Sequence, residues 1–410
     1  MDRTLIWQLA FRYLRGKRSA NAVPILSRIS MVAIAVSSAA MIMVFSVFNG
    51  LESVVKDMYK AFYPDIRITV ARGKFFQLDT AKLNTIKHIN GVRNMTTVLE
   101  DNVFVNNNNQ QKVITLKGID NNYFNVNEVT QYIEAGDDSV SAGQPYTAIV
   151  GQSTMKELAA DVNNIYSYIE LLYVNPAVTN PEANPLSAFQ SLKLHPAGVF
   201  RIGDEFDGKY ILAPLSLVQN LFFAKGRYSS IEISAVPGAV NDIKKQLEQL
   251  LGAACKVETR YEQNKSIYLV MSAEKWAIYA ILVLVLLIAS FNLVGALSML
   301  VLEKQKDIAI LKAMGAQSSA IRKIFLLEGV LWAMTGGIAG ILLGAGVSLL
   351  QQKYGFVKVG GAFLIDAYPV KLKLSDFALV FVTILLVGLL TAWYPSMRAT
   401  KVSDPTLKST

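Results

Sequence analysis

The sequence predicts a membrane protein: four transmembrane helices plus a large α+β extracytoplasmic domain, a split module with an inserted subdomain, between helices one and two. Two observations carry this. Hydrophobic residues make up 52% and charged residues only 17% of the 410, and the mean hydropathy is +0.34, too apolar for an ordinary soluble protein of this size. The apolar excess is also concentrated, in one charge-free run near the start and three in the last third, with a long polar block between them.

Ile29 to Phe48 carries no charge, and about 20 helical residues at about 1.5 Å each cross a hydrocarbon core of about 30 Å. Trp276 to Leu302, Gly329 to Gln352 and Phe377 to Met397 are likewise charge-free. The expected organisation is therefore a cytoplasmic amphipathic segment at 1–28, helix one at 29–48, the extracytoplasmic domain at 49–275, and helix two at 276–302. A cytoplasmic loop at 303–328, helix three at 329–352, an outer loop at 353–376, helix four at 377–397 and a cytoplasmic tail at 398–410 complete it. No small-residue cleavage site follows the first run, so it is expected to stay as an anchor.

Orientation follows from Lys and Arg beside the spans. Arg12, Arg15, Lys17, Arg18 and Arg28 precede helix one, Lys304, Lys306, Lys312, Arg322 and Lys323 lie between helices two and three, and Arg398, Lys401 and Lys408 end the chain. Both termini are expected in the cytoplasm, although the outer loop holds four lysines of its own, Lys353, Lys358, Lys371 and Lys373. The net charge of +9 comes from scattered residues and fits topology better than nucleic acid. The single cysteine, Cys255, excludes an intramolecular disulfide and a Cys-based metal centre, and His88 and His195 lack acidic neighbours at ligand spacing. No catalytic residue and no metal site are expected.

Within the polar block, Asp65 to Val70 reads as a strand, Thr80 to Ile89 as a helix, and Thr96 to Val105 with Lys112 to Lys117 as a hairpin around Asn106 to Asn109. The same grammar returns in strand Ser230 to Val236, helix Val240 to Leu251 and strand Lys256 to Thr259. These are two halves of one module, interrupted at about 119–225. Inside the insertion, residues 175–190 contain Pro176, Pro181 and Pro185, which prevent regular pairing; a docking loop and a passive one both fit. Between helices two and three, Leu302 to Ala316 reads as a short helix, apolar at Ile308, Ile310, Leu311 and Met314 and ended by Gly315. A docking knob and a solvated connector both fit it.

That segment, with Phe325-Leu-Leu-Glu-Gly329 and Trp393-Tyr-Pro-Ser-Met-Arg-Ala399, closely resembles the four-helix ABC transporter permeases that include MacB, FtsX and the lipoprotein-releasing LolC/LolE subunits. Ser46-Val-Phe-Asn-Gly-Leu-Glu52, Ala289-Ser-Phe-Asn-Leu-Val294 and Phe363-Leu-Ile-Asp-Ala-Tyr-Pro369 resemble the LolC/LolE branch in particular. The resemblance implies a pair of permeases, identical or paralogous, bound to an ATPase dimer that holds the ATP and Mg. This chain has no GxxxxGK[ST] phosphate loop of its own. It implies a coupling contact at Glu303, Lys306, Asp307, Ile308, Leu311, Lys312, Met314 and Gly315. It also implies a lipoprotein substrate drawn from the inner membrane, and a periplasmic carrier to receive it. Gly50 maps to the outer end of helix one, beside the lipid entrance. Ala40, Met43, Val44, Val47, Phe48 and Leu51, with Ile267, Tyr268 and Met271, are the candidate cleft, and ordinary contact with membrane lipids fits each of them as well. Pro176, Pro181, Pro185, Leu186 and Phe189 are the candidate carrier contacts. A MacB-like exporter subunit and an FtsX-like signal relay acting on cell-wall hydrolases are the alternatives.

Overall fold

Four helices are long and apolar enough to span a membrane in the structure, a computed structural model that describes residues 23–107, 110–164, 166–175, 178, 188–358 and 367–400. They are α1 (Val23–Phe62), α4 (Lys265–Glu303), α6 (Ser318–Tyr354) and α7 (Leu374–Thr400), with the short α5 (Gln305–Ala313) between α4 and α6. In the extracytoplasmic part, α2 is Thr80–Lys87 and α3 is Val240–Leu251. Each long helix runs past its charge-free stretch. In α1 the helix continues through Glu52, Lys56, Asp57 and Lys60 and stops two residues before Pro64, because helix propensity does not end where lipid does. Residues 318–328, read as part of a loop, are the first three turns of α6. The chain divides into a membrane unit and an extracytoplasmic unit, the latter covering Val55–Tyr268.

In the membrane unit α6 is the central helix. Added Cβ atoms at Gly336, Gly340 and Gly344 would meet the carbonyl oxygens of Met31, Ala35 and Ala39 at 2.5, 2.1 and 2.6 Å. The two helices thus run parallel with their backbones in contact, a seam that only small residues permit. On the other side, Gly337 faces Ile384 and Gly388 faces Ala333, which seats α7. The core between the helices includes Met41, Ile42, Phe45, Leu293, Leu297, Trp332 and Ile384. Ser30, Ser37, Ser38 and Ser46 bond their hydroxyls to carbonyls four residues back, so α1 brings no unpaired hydroxyl from these positions into the bilayer. Gly340→Ala is expected to destabilise the bundle by about 1–3 kcal/mol through overpacking. Thermal unfolding in detergent reads this, and an unchanged midpoint would show that the seam yields.

The extracytoplasmic unit is built on a ten-stranded sheet: β1 (Ile66–Val70), β2 (Val92–Asn107), β3 (Gln110–Ile119), β4 (Ile133–Gly136), β5 (Thr147–Gly151), β6 (Ile169–Val174), β7 (Phe189–Phe200), β8 (Tyr210–Pro214), β9 (Ser230–Ala235) and β10 (Cys255–Thr259). The order β10-β1-β9-β2 joins the two halves of the split module, with α2 and α3 contributing Ile86, Ile243 and Leu247 to one core. The insertion does not stand apart. β2 is 16 residues long, long enough to pair β9 with its first half and β3 and β6 with its second. Strands β3, β8, β5, β7 and β6 then lead back to β2, closing a six-stranded ring around Leu116, Val150, Leu171 and Ile211.

A row of charges crosses the module, partly buried at Arg67 and Glu100 and buried at Lys117 and Glu232. Arg67 on β1 pairs Glu100 on β2, and Lys117 on β3 pairs Glu232 on β9 at 2.9 Å. Asn127 Nδ2 donates to the second Glu232 oxygen at 2.7 Å. The Lys117 ammonium also lies 4.9 Å from the Tyr123 ring and 5.5 Å from that of Phe62, in the last turn of α1. Burial alone would push the Glu100 carboxyl up, but Arg67 and Lys117 beside it hold it below the ordinary carboxylate range. Its contribution to stability is therefore complete at neutral pH and is lost only as pH falls through that lowered value.

Candidate functional site

The sequence-predicted site residues of the membrane unit fall on the coupling segment, on α1 and on α4. α5 ends at Ala313, with Met314 as its cap and then Gly315, whose φ of 87° is the left-handed turn that glycine favours. Over these nine residues the apolar side chains divide. Ile308 is 1% exposed and packs inside the helix bundle. That corrects its assignment to the docking contact: a charge placed there would be buried in the bundle core. Ile310 and Met314, by contrast, are 60% and 78% exposed, with Lys306 exposed one turn before Ile310. Leu311 is half-buried. Asp307 accepts from Lys304 at 3.0 Å, and Lys312 donates to the carbonyl of Thr400 at the end of α7 at 3.1 Å. Glu303 is exposed at the end of α4. Ile310 was missing from the sequence-based contact set because four apolar residues in a helix this short leave its inward face undetermined.

On α1 the candidate cleft residues share one side. Val44 and Leu51 are exposed and Ala40, Met43, Val47 and Phe48 half-exposed, whereas Met41, Ile42, Phe45 and Asn49 face the bundle. The outward stripe continues through Ile29, Val32 and Val36 at three- to four-residue spacing. Met271 is half-buried on α4. Ile267 and Tyr268 belong to the extracytoplasmic unit, where Ile267 packs against the core that holds Tyr59 and Phe62 and Tyr268 stacks on Tyr261 at 5.0 Å.

The outer end of α1 is tied down by a polar cluster that charge-run reading could not assemble. Asn49 Nδ2 donates to Asp376 Oδ2 at 2.5 Å, and Lys275 Nζ donates to Asp376 Oδ1 at 3.0 Å and to Asn49 Oδ1 at 3.1 Å. Asn49 and Asp376 are buried, so three helices are joined by one hydrogen-bonded ion pair. Alongside, a Cβ at Gly50 would lie 2.0 Å from the Pro369 carbonyl oxygen, and Lys373 pairs Glu52 at 2.8 Å. The Asn49-Gly50 dipeptide thus supplies a side chain to the cluster and room for the incoming backbone. Asn49→Ala leaves an Asp376 oxygen without its donor and is expected to cost about 1–3 kcal/mol; thermal unfolding that matches the parent would remove the cluster from the account.

On the extracytoplasmic unit, Phe189 pairs Val174 at the stem of the proline-rich loop, and Phe104 pairs Val113 and Leu172 on the same face of the sheet. Phe189, Val174, Phe104 and Val113 are each about half exposed. Pro176, Pro181, Pro185 and Leu186 lie outside the described residues. Phe104 and Val113 escape a sequence reading because both sit within apolar strand runs and only the pairing shows which side they take.

Residues 27–250 match the MacB-like periplasmic core domain, and residues 279–403 match the C-terminal domain of FtsX-like permeases. The first of these alone spans more than half of the chain. The chain belongs to the MacB/FtsX-like permease family. Like other ABC transporter permeases of this family, it works with an ATPase partner and a paired permease. Relatives similar over nearly their whole length include the lipoprotein-releasing system transmembrane protein LolC of Neisseria meningitidis serogroup B, 24% identical over 414 residues and 96% of each chain. LolE of Haemophilus influenzae is 24% identical over 413 residues, again 96% of each. Among solved structures, the periplasmic region of MacB from Actinobacillus actinomycetemcomitans is 14% identical, covering 53% of this chain and 98% of that one with a TM-score of 0.36.

Proposed function

We propose that this permease extracts lipoproteins from the inner membrane and passes them to a periplasmic carrier, driven by a separate ATPase that holds the ATP and Mg. The observation that carries the reading is the full-length likeness to LolC and LolE, through both the membrane helices and the domain between α1 and α4. The physical task is severe: at about 0.8 kcal/mol per buried methylene, three acyl chains with some 40 methylenes hold an anchor by roughly 30 kcal/mol. A protein that lifts such an anchor has to offer apolar surface throughout, and the outward stripe of α1, from Ala40 to Leu51, is the surface assigned that role. Ile310, Met314 and Lys306 meet the ATPase, on the cytoplasmic side together with both termini. Phe189 and its exposed neighbours Val174 and Phe104, with the loop that follows Val174, meet the carrier.

Purifying the permease with its natural partners tests this reading. An ATPase, a second permease subunit and acylated lipoprotein are expected to co-purify; a cell-wall hydrolase in place of lipoprotein would refute it.

A further inference from the structure

A cavity of about 380 Å³ opens between the outer ends of α1 and α6 and the segment leading into α7, and Gly50, Ser53, Gln352, Tyr368, Pro369 and Lys371 contribute to its lining. Its walls are held by hydrogen bonds. The Gln351 amide donates to the Val357 carbonyl and accepts from the Val357 N–H, both at 3.0 Å, and the Tyr368 N–H donates to the same carbonyl at 2.9 Å. On the α1 side the Lys371 N–H donates to the Ser46 carbonyl at 2.9 Å.

What the cavity offers is positive charge and N–H donors. The Lys371 ammonium donates to the Ser53 hydroxyl at 3.1 Å and has no carboxylate partner among the described residues. Lys373 and Lys275 nearby are paired, with Glu52 at 2.8 Å and Asp376 at 3.0 Å. The Gln352 side chain is exposed, and its amide has no hydrogen-bond partner among the described residues. The charge-free runs of α1 and α6 end at Phe48 and Gln352, so the cavity lies at headgroup depth, where exposed Tyr354 also packs on Phe356 at 5.5 Å. Below it, Leu350, Val347 and Leu343 follow one another on α6 at helical spacing, and all three are exposed.

We propose that this cavity binds the phosphodiester of a phospholipid from the leaflet on the side of the extracytoplasmic domain. Lys371 and Gln352 donate to the phosphate, and the acyl chains lie along Leu350, Val347 and Leu343. The two free oxygens of a phosphodiester accept hydrogen bonds and share one negative charge, which an ammonium with spare N–H groups and an amide N–H complement. An acyl anchor without phosphate gains nothing from these donors, so the site selects a membrane lipid. The inference is independent of the cargo that the permease carries.

Native mass spectrometry of the full-length permease in phosphate-free detergent, titrated with phosphatidylglycerol, tests this. Lys371→Gln is expected to weaken binding about tenfold, as loss of a hydrogen bond to a charged group does. Lys371→Arg should stay within about threefold of the parent, because it keeps the charge and the donors. Lys353→Gln removes the same charge from outside the cavity and should also stay within about threefold; equal losses in Lys353→Gln and Lys371→Gln would show diffuse attraction and overturn the site. Diacylglycerol with the same chains should bind about tenfold more weakly than phosphatidylglycerol and ignore Lys371→Gln. Diacylglycerol that matches phosphatidylglycerol, or millimolar inorganic phosphate that displaces the lipid, would overturn the proposal, the latter by assigning the cavity to a soluble anion. Should Lys371→Gln fail to fold, Gln352→Ala decides: a loss of about threefold supports the site, and unchanged binding overturns it.

Discussion

Replacing Lys117 with methionine is expected to cost the extracytoplasmic unit about 3–5 kcal/mol, the penalty for breaking a buried ion pair by removing one partner. Methionine fills most of the lysine stem, so packing changes little. What remains is the Glu232 carboxylate, buried beside the Asn127 amide at 2.7 Å and without its ammonium partner. The Phe62 and Tyr123 rings lose the cation that they flank. Adding Glu232→Leu should recover much of the loss, because two apolar residues of similar volume tolerate a dry site that a lone charge does not. Hydrogen exchange of the β3 and β9 amides in the full-length protein reads this directly, as opening on the order of 100- to 1,000-fold or more as frequent for the single variant. Protection within threefold of the parent would show that water reaches the pair.

The second large effect concerns coupling. Ile310→Asp and Met314→Asp together are expected to abolish stimulation of the ATPase while leaving the permease folded, because both side chains point away from the bundle and apolar anchors of this kind often carry about 2 kcal/mol or more each at an interface. Ile308→Asp is expected to behave differently: the charge enters the bundle core and the protein fails to accumulate. Paired measurements of expression, ATPase co-purification and turnover separate the cases. Normal turnover in the Ile310/Met314 double variant would move the contact elsewhere.

These contrasts also mark what was legible in the sequence. The four spans were, because a charge-free run of about 20 residues has few other uses, and strands such as Ser230–Ala235 and helix Val240–Leu251 follow from local periodicity. Closure of the ring was not, since the β2–β6 and β3–β8 pairings join residues far apart in the chain and leave no local mark. Lys117 on a half-buried strand reads as solvent-facing until Glu232, 115 residues away, is placed against it. Asn49, Lys275 and Asp376 likewise come from three separate segments, and a side-chain cluster built by tertiary packing has no sequence spacing to recognise. Of the candidate sites, the α1 stripe follows from helical period alone, whereas Ile308 and Ile310 could be told apart only once α5 had been seated.

The central claim is tested most directly by release of a labelled triacylated lipoprotein from vesicles holding the reconstituted permease and ATPase. The account predicts that label leaves the membrane only when ATP and the soluble carrier are both present, and is recovered bound to the carrier. Label that stays in the vesicles under those conditions, with the ATPase active and the carrier folded, would contradict it.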